Sequence, residues 1–155
     1  REREFIASYK KQYESLPYPP IFVTADAVVI QSGHVLMIKR RSEPGRGLWA
    51  LPGGFVNANT DKSVEDAAIR ELREETGITS SITKSLGVID FWFMAGGKRI
   101  HKTVHHFIFA EVSGELTPQV SEVDEVSWFP LAEIVDRLAY PDEKKLIARS
   151  GELGA

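Results

Sequence analysis

Apolar and polar positions alternate along this chain in two rhythms, and the switches between them outline its elements. "IFVTADAVVI" (21–30) and "HVLMIKRR" (34–41) are rich in β-branched and aliphatic residues, and "QSG" (31–33) between them supplies a turn, so a hairpin is predicted. "SEPGRG" (42–47) is loop by composition, and "LWALPGGFV" (48–56) is a short apolar strand broken by Pro52, Gly53 and Gly54, where the backbone is bent or closely approached. From Ser63 the period changes to that of a helix. Ser63 suits the N-cap, with Asp66 completing a capping box, and Gly77 stands just past the C-terminal stop at Thr76. Val64, Ala67, Ala68, Ile69 and Leu72 are expected to form its buried face, with the acids largely off it. Strand patterns return at 85–95 and 98–112 around a Gly96-Gly97 turn, and again at 125–130. "LAEIVDRLAY" (131–140) and "DEKKLIARS" (142–150) read as a pair of helices, the second opened by Pro141.

The order β-β-β-α-β-β-β-α predicts an α/β (α+β) fold, a mixed sheet flanked by helices. Ahead of it, residues 1–16 carry Phe5, Ile6, Tyr9 and Tyr13 at roughly helical spacing, and "PYPP" (17–20) forces an extended path. The expected organisation is therefore an N-terminal helix and linker over 1–20, read as the remnant of an upstream domain, followed by one domain over 21–150. A chain of 155 residues supports one core of ordinary size, so one main site is sought.

Composition narrows the chemistry. With no cysteine, disulfides, thiolate metal sites and cysteine nucleophiles are excluded. A net charge of −3 disfavours broad electrostatic binding to nucleic acid, so a small anionic ligand would need a local basic pocket. No apolar run approaches a membrane span and no signal-peptide pattern opens the chain, which leads to the expectation of a cytoplasmic protein that engages no membrane.

One stretch departs from ordinary surface patterning. In "RELREETG" (70–77), Glu71 and Glu75 share a helix face and Glu74 lies on its edge, although like charges at this spacing repel by about 0.2–0.5 kcal/mol per pair. A salt-bridged surface helix would carry Lys or Arg four residues after Glu71, where Glu75 stands instead, while Arg70 is placed to pair with Glu74. Three converging carboxylates suit a hard divalent cation such as Mg²⁺, which takes oxygen ligands and shares its remaining positions with substrate phosphates. The glycine bend just upstream brings bare backbone beside them.

"GGFVNANTDKSVEDAAIRELREETGI" (53–78) resembles the signature of the Nudix hydrolases, and "RELREETGI" matches it at every constrained position. The resemblance extends through "WALPGGF" and "EVSWFPLAEI", covering roughly residues 21–140. It implies an α/β/α sandwich with a mixed central sheet. It further implies Glu71 and Glu75 as main metal ligands, Glu74 as a further or water-bridged ligand, Arg70 as the residue orienting the acids, and Gly53 or Gly54 as a backbone contributor. The cofactor implied is Mg²⁺, with Mn²⁺ as the alternative. The chain departs from the signature in one place: the loop after Gly54 is two residues longer than usual, and Lys62 stands where a first glutamate is expected, leaving Asp61 or Glu65 as substitutes.

The implied reaction is hydrolysis of a nucleoside diphosphate linked to a group X. Its general base comes either from the helix or from a later loop, where "VSEVDEV" (120–126) offers Glu122, Asp124 and Glu125, with Glu122 or Glu125 preferred. Cations for phosphate or ribose are Lys39, Arg40, Arg41, Arg46, Lys98, Arg99 and Lys102, of which Arg40 and Arg41 face opposite ways on a regular strand. Phe22, Trp49, Phe91 and Trp92 are available to stack on a base. The preferred substrate-binding set is Arg41, Arg46, Trp49, Phe22 and Arg99. His105 and His106 point to opposite faces and His101 and His105 are too far apart to chelate together, so packing or hydrogen bonding is expected of the histidines, with His101, His105, His106 or Lys102 open to a phosphate contact.

The N-terminal half resembles the Nudix half of bifunctional enzymes that also carry an NMN adenylyltransferase, whereas 87–116 and 137–145 look more like MutT-type proteins, a mosaic or chimeric pattern. ADP-ribose cleaved to AMP and ribose 5-phosphate is thus the leading expectation. Hydrolysis of oxidised or ordinary nucleoside triphosphates is the second, and an ADP-ribose sensor without catalysis the third. The expected partners are a small nucleotide and an adenylyltransferase domain upstream, with homodimerisation left open.

Overall fold

The computed structural model describes residues 21–41, 45–119, 122–138 and 141–149. The helix and linker expected over 1–20 lie outside them. Seven strands form one mixed sheet: β1 (Ile21–Gln31), β2 (His34–Arg40), β3 (Trp49–Ala50), β4 (Gly53–Phe55), β5 (Thr79–Ala95), β6 (Lys98–Ser113) and β7 (Val123–Pro130). The main path runs β3-β2-β1-β6-β5, with β4 pairing β1 and β7 pairing β2. Only β1 and β6 run parallel among these pairs.

Both predicted hairpins form. Ser32 and Gly33 take φ of 51° and 73°, and Gly96 and Gly97 take 57° and 77°, so each two-residue turn has the left-handed backbone that matches strand twist. Strand β5 begins at Thr79, six residues before the predicted start, because the polar run "TSSITKS" reads as loop by composition. Its register against β6 shifts at three places. At two of them a hydroxyl donates to a β6 carbonyl, Ser80 to Ala110 O at 2.6 Å and Thr83 to Ile108 O at 3.2 Å, so the polar residues stitch the bulged strand to its neighbour.

Helix α1 spans Val64–Thr76, with Ser63 Oγ accepting from the Asp66 amide at 3.1 Å and Gly77 closing it at φ 81°. The predicted 131–140 helix is instead a 3-10 turn (Leu131–Glu133) followed by one α turn, α2 (Ile134–Arg137), and α3 spans Pro141–Arg149.

Alternation along β1 and β6 divides the core in two. Ala25, Ala27, Val29, Phe107 and Phe109 pack against Ala67, Ala68 and Leu72 of α1. Val28 and Ile108, with Val35 and Met37, pack on the other face against Ile134 of α2, Leu138 just after it, and Ile147 of α3. The sheet is therefore sandwiched, and β1, covered on both sides, is buried along most of its length.

Candidate active site

The acids of α1 do not lie off its buried face. Ala67, Glu71 and Glu75 follow one another at i+4, beside the row Ala68, Leu72 and Thr76, so the stripe that meets the core in the first half of the helix becomes carboxylate in the second. Glu71 is 4% exposed and Glu75 3%. What they meet is the glycine bend: the Gly53 N–H donates to Glu75 Oε1 at 2.8 Å. Gly53 is required there by close approach. A Cβ would collide with the Asp26 carboxylate and come within 2.5 Å of Ala25 O. Gly53→Ala is accordingly expected to cost about 1–3 kcal/mol of stability and to displace Glu75, read as a lower urea midpoint together with lost turnover.

Arg70 organises the rest. Its Nε and Nη2 donate to the two oxygens of Asp61, both at 2.8 Å, Nη1 donates to Glu71 Oε1 at 3.0 Å and to Glu74 Oε2 at 3.1 Å, and Nη2 also reaches Phe55 O at 3.1 Å. Asp61, whose side chain is 3% exposed, therefore occupies the partner role left open at Lys62, while Glu65 stays on the exposed side of the first turn. The Arg70 hydrogen bond holds the Asp61 carboxyl below its ordinary range, and the Asp61 hydrogen bond pushes Arg70 upward, so both stay charged. Glu74 is the exposed member of the triplet.

Behind the C-terminal turn, the Thr117 and Gln119 amides donate to Thr76 O and Glu75 O, and the Glu122 amide donates to Gln119 O at 3.0 Å. Residues 117–119 thus close over the end of the acidic helix, and Glu122 is tied to them through Gln119. Gln119 Oε1 is buried there without a hydrogen-bond partner, an acceptor awaiting a donor such as water. β7 begins at Val123, two residues before the predicted strand, so Asp124 joins Glu125 on it, both with exposed side chains. Asp124 faces Arg41 at 3.7 Å, and Glu125 is in register with Lys39.

The expected substrate-binding set does not converge. Phe22 is a core residue, 3% exposed and edge-on to Phe55 at 6.0 Å, because β1 and β4 bury both rings. Trp49 packs edge-on to Phe129 at 4.7 Å beside the α2–α3 core. Arg46 is exposed in the turn before β3, and Arg99 lies over Trp92 on the β5–β6 hairpin. Trp92 also stacks on His101 at 4.2 Å, whose Nε2 is 2.7 Å from Asp90. Lys102 lies over the Phe55 ring at 5.6 Å from its centroid.

The histidines divide as the strand period requires. His105 shares the Phe107 face, whereas His106 is fully buried on the opposite one. Sequence reasoning missed its surroundings: Glu143 Oε2 lies 3.0 Å and Asp26 Oδ2 3.7 Å from Nε2. Burial alone would lower the His106 pKa, but the Glu143 hydrogen bond and the two carboxylate charges outweigh it and leave it raised.

A mixed sheet thus lies between helices and carries a buried pair of carboxylates against a glycine bend. The NUDIX domain family matches residues 20–150, and the chain belongs to it. It is 45% identical over 117 residues to the putative mutator protein MutT4 of Mycobacterium tuberculosis, covering 76% of this chain and 46% of that protein. It therefore spans less than half the length of that relative. It is 33% identical to an ADP-ribose pyrophosphatase of Methanocaldococcus jannaschii, covering 86% of this chain and 75% of that one. Among solved structures, a bifunctional NMN adenylyltransferase/ADP ribose pyrophosphatase from Francisella tularensis, complexed with AMP and a Mn ion, superposes with a TM-score of 0.68. It is 31% identical, over 99% of this chain and 48% of that one.

Proposed function

We propose that the protein is a Mg²⁺-dependent Nudix hydrolase that cleaves ADP-ribose to AMP and ribose 5-phosphate. The observation that carries the hydrolase reading is the buried Glu71–Glu75 pair, one oxygen of which is fixed by the Gly53 amide. Two carboxylates taken out of water one helical turn apart repel each other and lose hydration, a cost that cationic partners offset. Their all-oxygen donor set, with Glu74 at its edge and the Gly53–Gly54 backbone beside it, fits a hard divalent cation. When bound, such a cation neutralises the diphosphate and lowers the pKa of the attacking water.

The remaining work falls to the chain itself. Arg70 holds Glu71 and Glu74 in one orientation while Asp61 keeps the guanidinium in place. Glu122, whose amide is bound to Gln119 O beside the end of α1, is favoured over Glu125 as the loop base. Water attacks one phosphorus, the bridging P–O bond breaks, and the bridging oxygen leaves with the other phosphate, which yields AMP and ribose 5-phosphate. Lys102, over the Phe55 ring that ends β4, is a candidate cation for that anion.

ADP-ribose is preferred because the similarity to the archaeal ADP-ribose pyrophosphatase spans most of both chains. The higher identity to the MutT4 protein, over a shorter share of it, supports the second reading, hydrolysis of nucleoside triphosphates including 8-oxo-dGTP. A panel comparing ADP-ribose, NADH, dGTP and 8-oxo-dGTP with Mg²⁺, with products resolved by chromatography, separates them. The expected result is the highest kcat/KM on ADP-ribose with AMP as product. A higher value on 8-oxo-dGTP with the monophosphate as product would overturn the substrate assignment.

A further inference from the structure

Asp26, His106 and Glu143 come from β1, β6 and α3, and their side chains meet on the sheet face opposite α1. Asp26 and His106 are direct neighbours in the parallel register, and Glu143 descends on them from the C-terminal helix. One ligand-type atom from each lies within 4.8 Å of the other two. His106 Nδ1 is 3.2 Å from Val104 O. A carbonyl can only accept, so Nδ1 carries a proton, and the proton that Nε2 shares with Glu143 must be displaced before its lone pair can meet a cation. Nε2 lies 3.0 Å from Glu143 Oε2 and 3.7 Å from Asp26 Oδ2. Three electron-rich atoms converge on one point inside the protein, an arrangement that needs either a proton or a cation at its centre.

We propose that Asp26, His106 and Glu143 form a second divalent-cation site, selective for the zinc class of ions and separate from the acidic helix. The spacing is compatible with a coordination sphere: ligand atoms at about 2.0–2.1 Å from a tetrahedral centre stand roughly 3.3 Å apart, the two edges at His106, 3.0 and 3.7 Å, bracket that length, and the third lies within 4.8 Å. An imidazole anchored through Nδ1–H to a backbone carbonyl is the usual support of a metal-ligating histidine. The single nitrogen donor favours Zn²⁺ or Co²⁺ over Mg²⁺, whereas the site on α1 offers oxygen alone. Asp26 is half-buried while the other two are buried, which leaves a side open for water to complete the sphere. Gly53 separates the two centres, its amide bound to Glu75 and its Cα against Asp26. An ion held here would pin α3 to the sheet, since Glu143 belongs to that helix.

The test is a Co²⁺ titration of the intact protein at neutral pH with Mg²⁺ in large excess, following the visible d–d absorption, with Zn²⁺ displacement and thermal melts in parallel. The expected result is stoichiometric Co²⁺ binding with a visible band, displacement by Zn²⁺, and a higher Tm with Zn²⁺. Band and Tm gain should be lost in His106→Gln and in Glu143→Gln and retained in Glu75→Gln, which separates this site from the one on α1. Absence of the band in the unmodified protein, or its survival in His106→Gln, would overturn the proposal and leave the trio a proton-bridged ion cluster. If His106→Gln fails to fold, the same reading of Glu143→Gln decides the matter.

Discussion

Glu75→Gln is expected to lower kcat by about 10²–10³-fold, the scale on which losing one preorganised electrostatic partner of the transition state is felt. The substitution keeps shape and keeps an oxygen able to accept the Gly53 N–H, so the glycine bend is expected to hold. It removes one of two charges buried within a turn of each other, which relieves repulsion rather than adding strain. Tm without metal should therefore stay the same or rise, and the Tm gain on adding Mg²⁺ should shrink. Steady-state rates and melts with and without Mg²⁺ check both halves. Unchanged Mg²⁺-dependent turnover would remove the catalytic role of the helix.

How much of this was legible in the chain depended on the range of the interactions involved. The limits of α1 could be read because Ser63 and Gly77 act on backbone groups three or four residues away. The two hairpin turns were readable for the same reason. The start of β5 was not, because the polar run from Thr79 is held in the sheet by carbonyls of β6, thirty residues on for Ser80. The inward turn of Glu71 and Glu75 was hidden by the habit of assigning charge to solvent. Their burial is set by the glycine bend, a tertiary neighbour that helical periodicity cannot register.

The candidate site shows the same division. Arg70 and the three glutamates were visible as a local motif, and Arg70 to Glu74 is an ordinary i,i+4 pair. The choice between Asp61 and Glu65 required the loop path, which brings Asp61 under the guanidinium and leaves Glu65 outside. Phe22 lies in the core and Trp49 packs on Phe129, which the sequence does not reveal because an aromatic on a strand has the same appearance whether it faces a ligand or a core. The His106 cluster was beyond reach, since its two carboxylates come from the first strand and the last helix.

Arg70→Ala should give the largest loss of stability of any single change at this site. The guanidinium makes five hydrogen bonds to Asp61, Glu71, Glu74 and Phe55 O, and two of those carboxylates are almost wholly buried. Removing it leaves Asp61 and Glu71 charged and facing each other across the vacated space. Breaking a buried pair from one side costs about 3–5 kcal/mol, and the low end applies because a fifth of the Arg70 side chain remains exposed. For a chain of this size about 3 kcal/mol corresponds to a fall in Tm of roughly 10 °C. Activity should fall too, because Glu71 and Glu74 lose the donor that orients them. Arg70→Lys separates charge from geometry. A lysine restores the positive charge but cannot span both oxygens of Asp61 while reaching Glu71 and Glu74, so it should recover part of the Tm and little of the rate. Full recovery of kcat in Arg70→Lys would mean that neutralising the acids, and not aiming them, is what Arg70 contributes.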